Sequence, residues 1–525
     1  MKKNFMRVVA PVLACSMVLG LTACGGGSTE TKAAAGETKT EAKAEAGATA
    51  AATKDTLVIA TANETGSLTT NLHNATAGDY MNKLTHNSLF MLTESMEVVP
   101  DLVESFEAVS DTEWKFKLIE GVKFHNGEEM KAADVKASLM QAKDSPEVAQ
   151  YAQSFVEIEV IDDYNFKIIT DGPQAQLLND LTHHGNAILP AALIESGHDF
   201  NKEPIGTGAY KLVEWKKGES VSFTANPDYF KGEAPIKNII WKIIPEGSSR
   251  TMALESGEVD LIVEVETTDV SRLKDNTSVA VYDAPSTGFN FMMINTEVHP
   301  FNNADFRRAM SAAIDRNAII QVALNGAGSP VYAQLPNCFP GATDEGAPTF
   351  DPEQAKAYMA ASGLNAADCG FSLICSDDTK LRAGQVIQSC LKETLGVDIA
   401  LESMDLATYL DKTASGDYHA AIGGYTSDTL LSLAKGIYHS SAINAANKTR
   451  TNDPQVDAII DEMLATVDQA KQVELATDLA KYLNELCPQV PLYLKNNVRA
   501  YNANLQGFNC GASGGTYYYD MSWAK

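Results

Sequence analysis

Basic residues are scarce in this chain of 525 residues: 41 lysines and arginines stand against 68 aspartates and glutamates, for a formal net charge of −27. Phosphate recognition needs a basic surface, so this balance argues against a nucleic-acid binder and reads more simply as a solubility feature. Catalytic signatures are missing as well. There is no HExxH, no phosphate-cradling GxxxxGK[ST] and no GxGxxG after a strand. Ser271-Arg272-Leu273-Lys274 fits SxxK, but its companions SDN and KTG are absent, and the segment reads as a surface helix. No two cysteines have CxxC spacing, which argues against a zinc ribbon or a thioredoxin-like site. No repeat of solenoid period and no second membrane segment appear.

What is present begins with an address. Lys2, Lys3 and Arg7 precede a short apolar run from Val8 to Leu21, and Leu21-Thr22-Ala23-Cys24 follows with Gly25 behind it. This is the pattern of a secretory leader, residues 1–23, whose cleavage leaves a cysteine first; it resembles a bacterial lipobox, with Cys24 the lipidation site. From Gly25 to Asp55 the chain has no aromatic and no large aliphatic residue. Such a stretch cannot bury a core, so residues 24–55 are read as the lipidated cysteine and a disordered tether. Beyond the leader and Cys24 there remain Cys338, Cys369, Cys375, Cys390, Cys487 and Cys510. An exported chain permits disulfides among them, and the spacing leaves both their presence and their pairing open.

The folded part opens with the apolar strand Leu57-Val58-Ile59-Ala60. The loop after it is rich in Thr, Asn and Gly, and ligands meet open α/β sheets at strand ends of this kind, which makes Thr65, Gly66 and Ser67 binding candidates. Trp114, Phe116 and Leu118 alternate with lysines ahead of a helix through Val135, Leu139 and Ala142; His125 is read as solvated or structural. His183 and His184 are adjacent, and neighbours on a strand would point to opposite faces, which makes joint chelation awkward. Tyr210 to Trp215 and the run around Val221 and Phe223 form a hairpin about Lys217-Gly218. Ile239 to Ile244 predicts a core strand covered on both faces. Ser248 is expected to cap a short helix that Gly257 stops, before Val259 to Val263 resume extended pattern. Phe289 to Ile294 is another strand, and FRRAMSAAIDRNAII is helical, with Arg307 and Arg308 on its solvated or ion-paired face. Asp351-Pro352 and Asp453-Pro454 each pair an N-cap with a proline at the first helical position. Val490 to Leu494 reads as a return strand.

GTGAYKLVEW at Gly206, the phrases NPDYF and SGEVDL, GVKFHNG, FRRAMSAAIDRNAII and FDPEQAKAYMAASG occur in one order from about Thr56 to the end. Together they resemble the solute-binding proteins of oligopeptide and dipeptide ABC importers, extracellular solute-binding family five. The resemblance implies an α/β, two-lobed type II fold of the periplasmic-binding-protein kind, with mixed sheets and a hinge of two crossing strands. Lobe I would hold residues 56–284 and 492–525, with an inserted subdomain at roughly 93–200, and lobe II residues 285–491. It implies no enzyme and no cofactor or metal. The expected partners are a short peptide ligand, an ABC permease with its ATPase subunits, and the membrane through the lipid anchor; the expected state is a monomer. The place would be the outer face of the bacterial cytoplasmic membrane, periplasmic where an outer membrane exists.

In that family an aromatic followed three residues later by aspartate lines the cleft, and the carboxylate takes the peptide's α-ammonium group. Tyr425 and Asp428 match those positions, Tyr425 standing where the family usually has tryptophan. The tyrosine and Asp-Pro that usually follow are replaced by Thr429-Leu430-Leu431. A cation withdrawn from water needs a paired anion, which is the role given to Asp428; its alternative is to cap the helix behind it. Alternative ligands are a nickel chelate, glutathione or an oligosaccharide. A hydrolase using Ser271 and Lys274, or a ligand sensor, stands as a different class.

Overall fold

The computed structural model describes residues 54–524. The expected leader, Cys24 and the tether up to residue 53 lie outside the described residues.

Alternating apolar positions lay down strands in chain order. β1 (Thr56–Thr61) buries Leu57, Ile59 and Ala60. A short antiparallel pair, β2 (Phe90–Leu92) and β3 (Val98–Pro100), leads to β4 (Val103–Ser110), β5 (Glu113–Leu118), β6 (Phe155–Val160) and β7 (Asn165–Thr170), which form a separate sheet in the order β4-β5-β7-β6. Trp114, Phe116 and Phe166 fill the core beneath it. The main sheet adds β8 (Tyr210–Lys216), β9 (Ser220–Ala225), β10 (Asn238–Ile243), β11 (Leu261–Ile262), β12 (Val279–Ile294), β13 (Gly328–Pro330), β14 (Phe371–Cys375), β15 (Ile399–Ser403), β16 (Ala420–Thr426) and β17 (Val490–Asn502). Its order is β15-β14-β16-β12-β17-β11-β1-β10-β9-β8, with β13 laid on β17. Parallel pairs (β1 with β10, β14 with β15) and antiparallel pairs coexist, so the sheet is mixed.

Two strands organise the molecule. β12 and β17 run 16 and 13 residues and pair antiparallel from Val279 opposite Asn502 to Met292 opposite Val490. Their register shifts between Pro285 and Phe289, where proline cannot donate to the ladder. One lobe spreads from this pair through β11, β1, β10, β9 and β8 around Tyr210, Phe223 and Trp241. The other spreads through β16, β14 and β15, with cores around Phe306, Leu373 and Ile387 and around Leu433, Ile460 and Leu479. This is the two-lobed α/β fold with crossing strands that the sequence implies.

The GTG phrase has a packing reason. A Cβ on Gly208 would lie 2.3 Å from the carbonyl carbon of Thr85, and one on Gly206 2.3 Å from the Thr85 oxygen. Only glycine lets these two stretches of backbone approach so closely.

Several expectations are corrected. β10 buries Ile239 and Trp241, but Ile240 and Lys242 on its other face are only half-buried, so the strand is covered on one side. The helix Gly247–Glu255 is capped by Glu246, which accepts from the Ser249 amide at 2.7 Å, in place of Ser248. FRRAMSAAIDRNAII is two helices, Ala304–Ala313 and Arg316–Leu324, because Asp315 accepts from the amides of Asn317 and Ala318 and starts a second one. Arg307 is buried, not solvated. Its guanidinium donates to the carbonyls of Phe301, Leu486 and Cys487, so the charge is dispersed over helix-end and loop oxygens without a carboxylate. Arg308 follows expectation, pairing with Asp305 at 2.8 Å. All six described cysteines are free.

Candidate ligand-binding site

β16 runs against β12 and ends at Thr426, close to the register shift between the lobes. Ser427 and Asp428 follow, and then the helix Leu430–Ile437. Thr429 caps that helix by accepting from the Ser432 amide at 3.0 Å, so Asp428 is released from the capping role. The Asp428 side chain reaches solvent within the cleft while protein crowds it on a wider radius. This desolvation raises its carboxyl above the ordinary range, Asp79 adds to the rise and Lys83 opposes it; no hydrogen bond contributes.

The facing wall is the helix Thr76–Thr85. Asp79 and Lys83, one turn apart, pair at 2.9 Å, and Asp79 lies 3.3 Å from Nδ1 of His184. Burial works against the Asp79 charge, yet Lys83 and His184 hold its carboxyl well below the usual range. His183 and His184 are not on a strand, which corrects the picture of opposed faces. They sit at a 3₁₀ turn with ring centroids 4.2 Å apart, His73 stacks on His184 at 4.7 Å, and Tyr151 stacks on His183 at 3.7 Å. Every ring nitrogen of the three histidines has a protein neighbour: Ala75 and Asn82 for His73, Gly185 and Asn74 for His183, Asp79 and the His73 carbonyl for His184. Burial lowers His73 to about 4 and His183 to about 3, so the stack is neutral where those rings are concerned at ordinary pH. Among the described residues no group of three or more His, Cys, Asp and Glu is arranged to hold a metal.

Asp428 and Asn179 border two cavities at once. One, of about 170 Å³, is polar and includes Asp79, Lys83, Tyr151 and the His183-His184 pair. The other, of about 450 Å³, is mostly apolar and has walls from both lobes. A third, of about 660 Å³, extends along the crossing strands past Pro285 and Leu494, and a small one joins Lys83 to Glu94. Lys83 is the only lysine or arginine lining these four, against Asp79, Glu94, Glu97, Asp344 and Asp428. The field in the cleft is therefore negative. A further cavity of about 260 Å³ sits inside one lobe, behind Tyr517 to Tyr519, and shares Lys83, Thr182 and His184 with the polar one. Of its charged residues, Lys83, Asp101, Lys231 and Asp520, the pair Asp101 and Lys231 meet at 2.5 Å.

The remaining candidates fall elsewhere. Thr65 and Ser67 are buried and bonded locally, Thr65 Oγ1 donating to the Ser67 carbonyl at 2.5 Å and Ser67 Oγ meeting Asn201 at 3.2 Å. Neither they nor exposed Gly66 line the cavities that Asp428 borders. Half-buried Tyr425 leans on the helix behind it, where a Cβ on Gly436 would come within 2.6 Å of its hydroxyl oxygen; it lines none of the four cavities. Ser271 is an exposed residue of a surface helix and Lys274 pairs with Asp283 at 2.6 Å. His125 is structural, its ring 2.9 Å from the Gly208 carbonyl.

Sequence reading missed the residues that join the lobes. Gln176 meets both Thr429 at 3.1 Å and Ser432 at 2.8 Å, and Gln472 donates to the Ala175 carbonyl at 3.1 Å. Met96, at the tip of the β2–β3 hairpin, is buried in the Leu433 core of the opposite lobe. Its φ of 63° was no feature of the sequence, whereas the one-turn spacing of Asp79 and Lys83 was visible.

A negative cleft between two lobes hung on a pair of crossing strands defines a solute receptor. The chain belongs to the bacterial extracellular solute-binding proteins, family 5, whose model matches residues 97–441. It is 27% identical to the probable D,D-dipeptide-binding periplasmic protein DdpA of Escherichia coli, over 79% of this chain and 82% of that one. It is 26% identical to the glutathione-binding protein GsiB of Pectobacterium atrosepticum, over 84% and 90%. Among solved structures, the unliganded open form of the periplasmic murein tripeptide binding protein MppA superposes with a TM-score of 0.84 at 22% identity, covering 90% of this chain and 98% of that one. HbpA2 of Haemophilus parasuis gives 0.81 at 23% identity, over 90% and 100%. The protein is thus an extracytoplasmic binding protein of the ABC-transporter kind, non-catalytic, that captures a small solute between its lobes; members of its family typically work with a permease and ATPase subunits.

Proposed function

We propose that the solute is a short peptide with a free amino terminus, held by Asp428, and that the protein works from a lipid anchor at Cys24 on the outer face of the cytoplasmic membrane. Lobe I is assigned residues 56–284 and 492–525, lobe II residues 285–491. The observation that carries the peptide reading is the state of Asp428: it is freed from capping by Thr429 and bonded to nothing, in a cleft with one paired lysine. A ligand ammonium taken from water into the cleft needs a paired anion, and Asp428 is the carboxylate left free to supply it. The same predominantly acidic lining disfavours anionic solutes such as glutathione.

Calorimetry of the full chain with di- to hexapeptides tests this. Asp428→Asn is expected to weaken a free-amine peptide by roughly a hundredfold, the loss of one partner of a sequestered ion pair, and to leave the N-acetylated peptide unaffected. Equal effects on both would remove the ammonium assignment, and no binding across the panel by a folded protein would reject peptides altogether.

A further inference from the structure

We infer that the chamber of about 450 Å³ beside Asp428 is the subsite for a bulky apolar side chain on the ligand residue that carries the ammonium group. The inference rests on the peptide reading above and narrows it to peptides that begin with a large apolar or aromatic residue.

Three observations converge. First, the chamber's walls are apolar and come from both sides of the cleft: Val98 and Leu178 on one, Phe339, Leu431, Met463 and Val467 on the other. An apolar group placed there displaces water from both lobes at once, and the gain scales with the area covered. Second, Asp428 and Asn179 belong to the chamber and to the polar cavity alike. An ammonium held at that shared wall leaves the substituent on the adjacent carbon at the chamber's mouth, whereas side chains further along the peptide start further away. Third, the only charged residues lining the chamber are Glu97 and Asp428, with no lysine, arginine or histidine. An acidic side chain would meet like charge and no donor of opposite sign. Size agrees: an apolar cavity of about 150 Å³ accepts benzene, so an indole or phenyl group fits with room to spare.

Four tripeptides, Phe-Ala-Ala, Ala-Ala-Phe, Ala-Ala-Ala and Glu-Ala-Ala, titrated calorimetrically into the full chain, test the position as well as the chemistry. Phe-Ala-Ala is expected to bind roughly ten- to a hundredfold more tightly than Ala-Ala-Ala, with Ala-Ala-Phe close to Ala-Ala-Ala and Glu-Ala-Ala weakest. Ala470 is an exposed residue of the Gln469–Leu486 helix that lines the chamber, so Ala470→Trp can fill it without entering a core. That variant is expected to narrow the gap between Phe-Ala-Ala and Ala-Ala-Ala; a gap that persists unchanged overturns the subsite. Equal affinity for Phe-Ala-Ala and Ala-Ala-Phe also overturns it, while leaving the ammonium reading intact. Binding by none of the four overturns both.

Discussion

Asp428 ties ligand affinity to pH. Desolvation and Asp79 raise its carboxyl, and an ammonium needs the ionised form. Affinity for a free-amine peptide is therefore expected to fall as pH drops through that raised value, at higher pH than an ordinary aspartate would impose. Asp428→Asn should remove this component, which calorimetry between about pH 4 and 8 can read; His73 and His183, lowered to about 4 and 3, titrate at or below the acid end of that range. Asp180 bears on stability instead. Burial pushes it up to about 8, so the folded chain keeps a proton that the unfolded chain has already lost above about pH 4. Stability should then decline as pH rises from about 4 toward 8, and Asp180→Asn should gain more at pH 8 than at pH 5 in urea titrations. Single residues were the hardest scale to read from sequence. Arg307 looked solvated because nothing in its own helix announces the carbonyls that satisfy it, two of which come from about 180 positions away.

Elements were more legible wherever the pattern is local. The β8–β9 hairpin, the proline-started helices Pro352–Ser362 and Pro454–Ala465, and the stop at Gly257 all follow from spacing and turn chemistry. The single-helix reading of FRRAMSAAIDRNAII failed at Asp315, whose short carboxylate competes for backbone amides and starts a new helix. The two faces of β10 differ because coverage depends on what packs there, not on the strand's own residues. The histidine stack was invisible for a similar reason: His73, Tyr151 and His183 are brought together only by the fold. Gly208 shows a local motif with a long-range cause. Gly208→Ala would press a methyl into the Leu84–His86 backbone, which has no rotamer to yield, and is expected to cost about 3 kcal/mol in denaturant titrations.

For the molecule as a whole, the two-lobed plan and its crossing strands were readable because family phrases run the length of the described chain, while the lobe-to-lobe contacts were not. Those contacts hold the lobes at the separation seen here: Gln176 on Thr429 and Ser432, Gln472 on Ala175, and Met96 in the Leu433 core. Replacing both glutamines and Met96 with alanine is expected to leave each lobe folded and to let them part, raising the radius of gyration of the ligand-free protein in small-angle scattering. Saturating ligand should restore compactness by bridging the lobes anew.

β17, made from residues 490–502, lies between β11 and β12 in the middle of the main sheet. Until it is synthesised, the growing chain holds two unjoined sheet fragments with bare edges, and no amount of earlier chain can complete either half. Closure of the main sheet therefore waits for this strand, and until it pairs on both sides the two halves are tied only by the chain that runs between them.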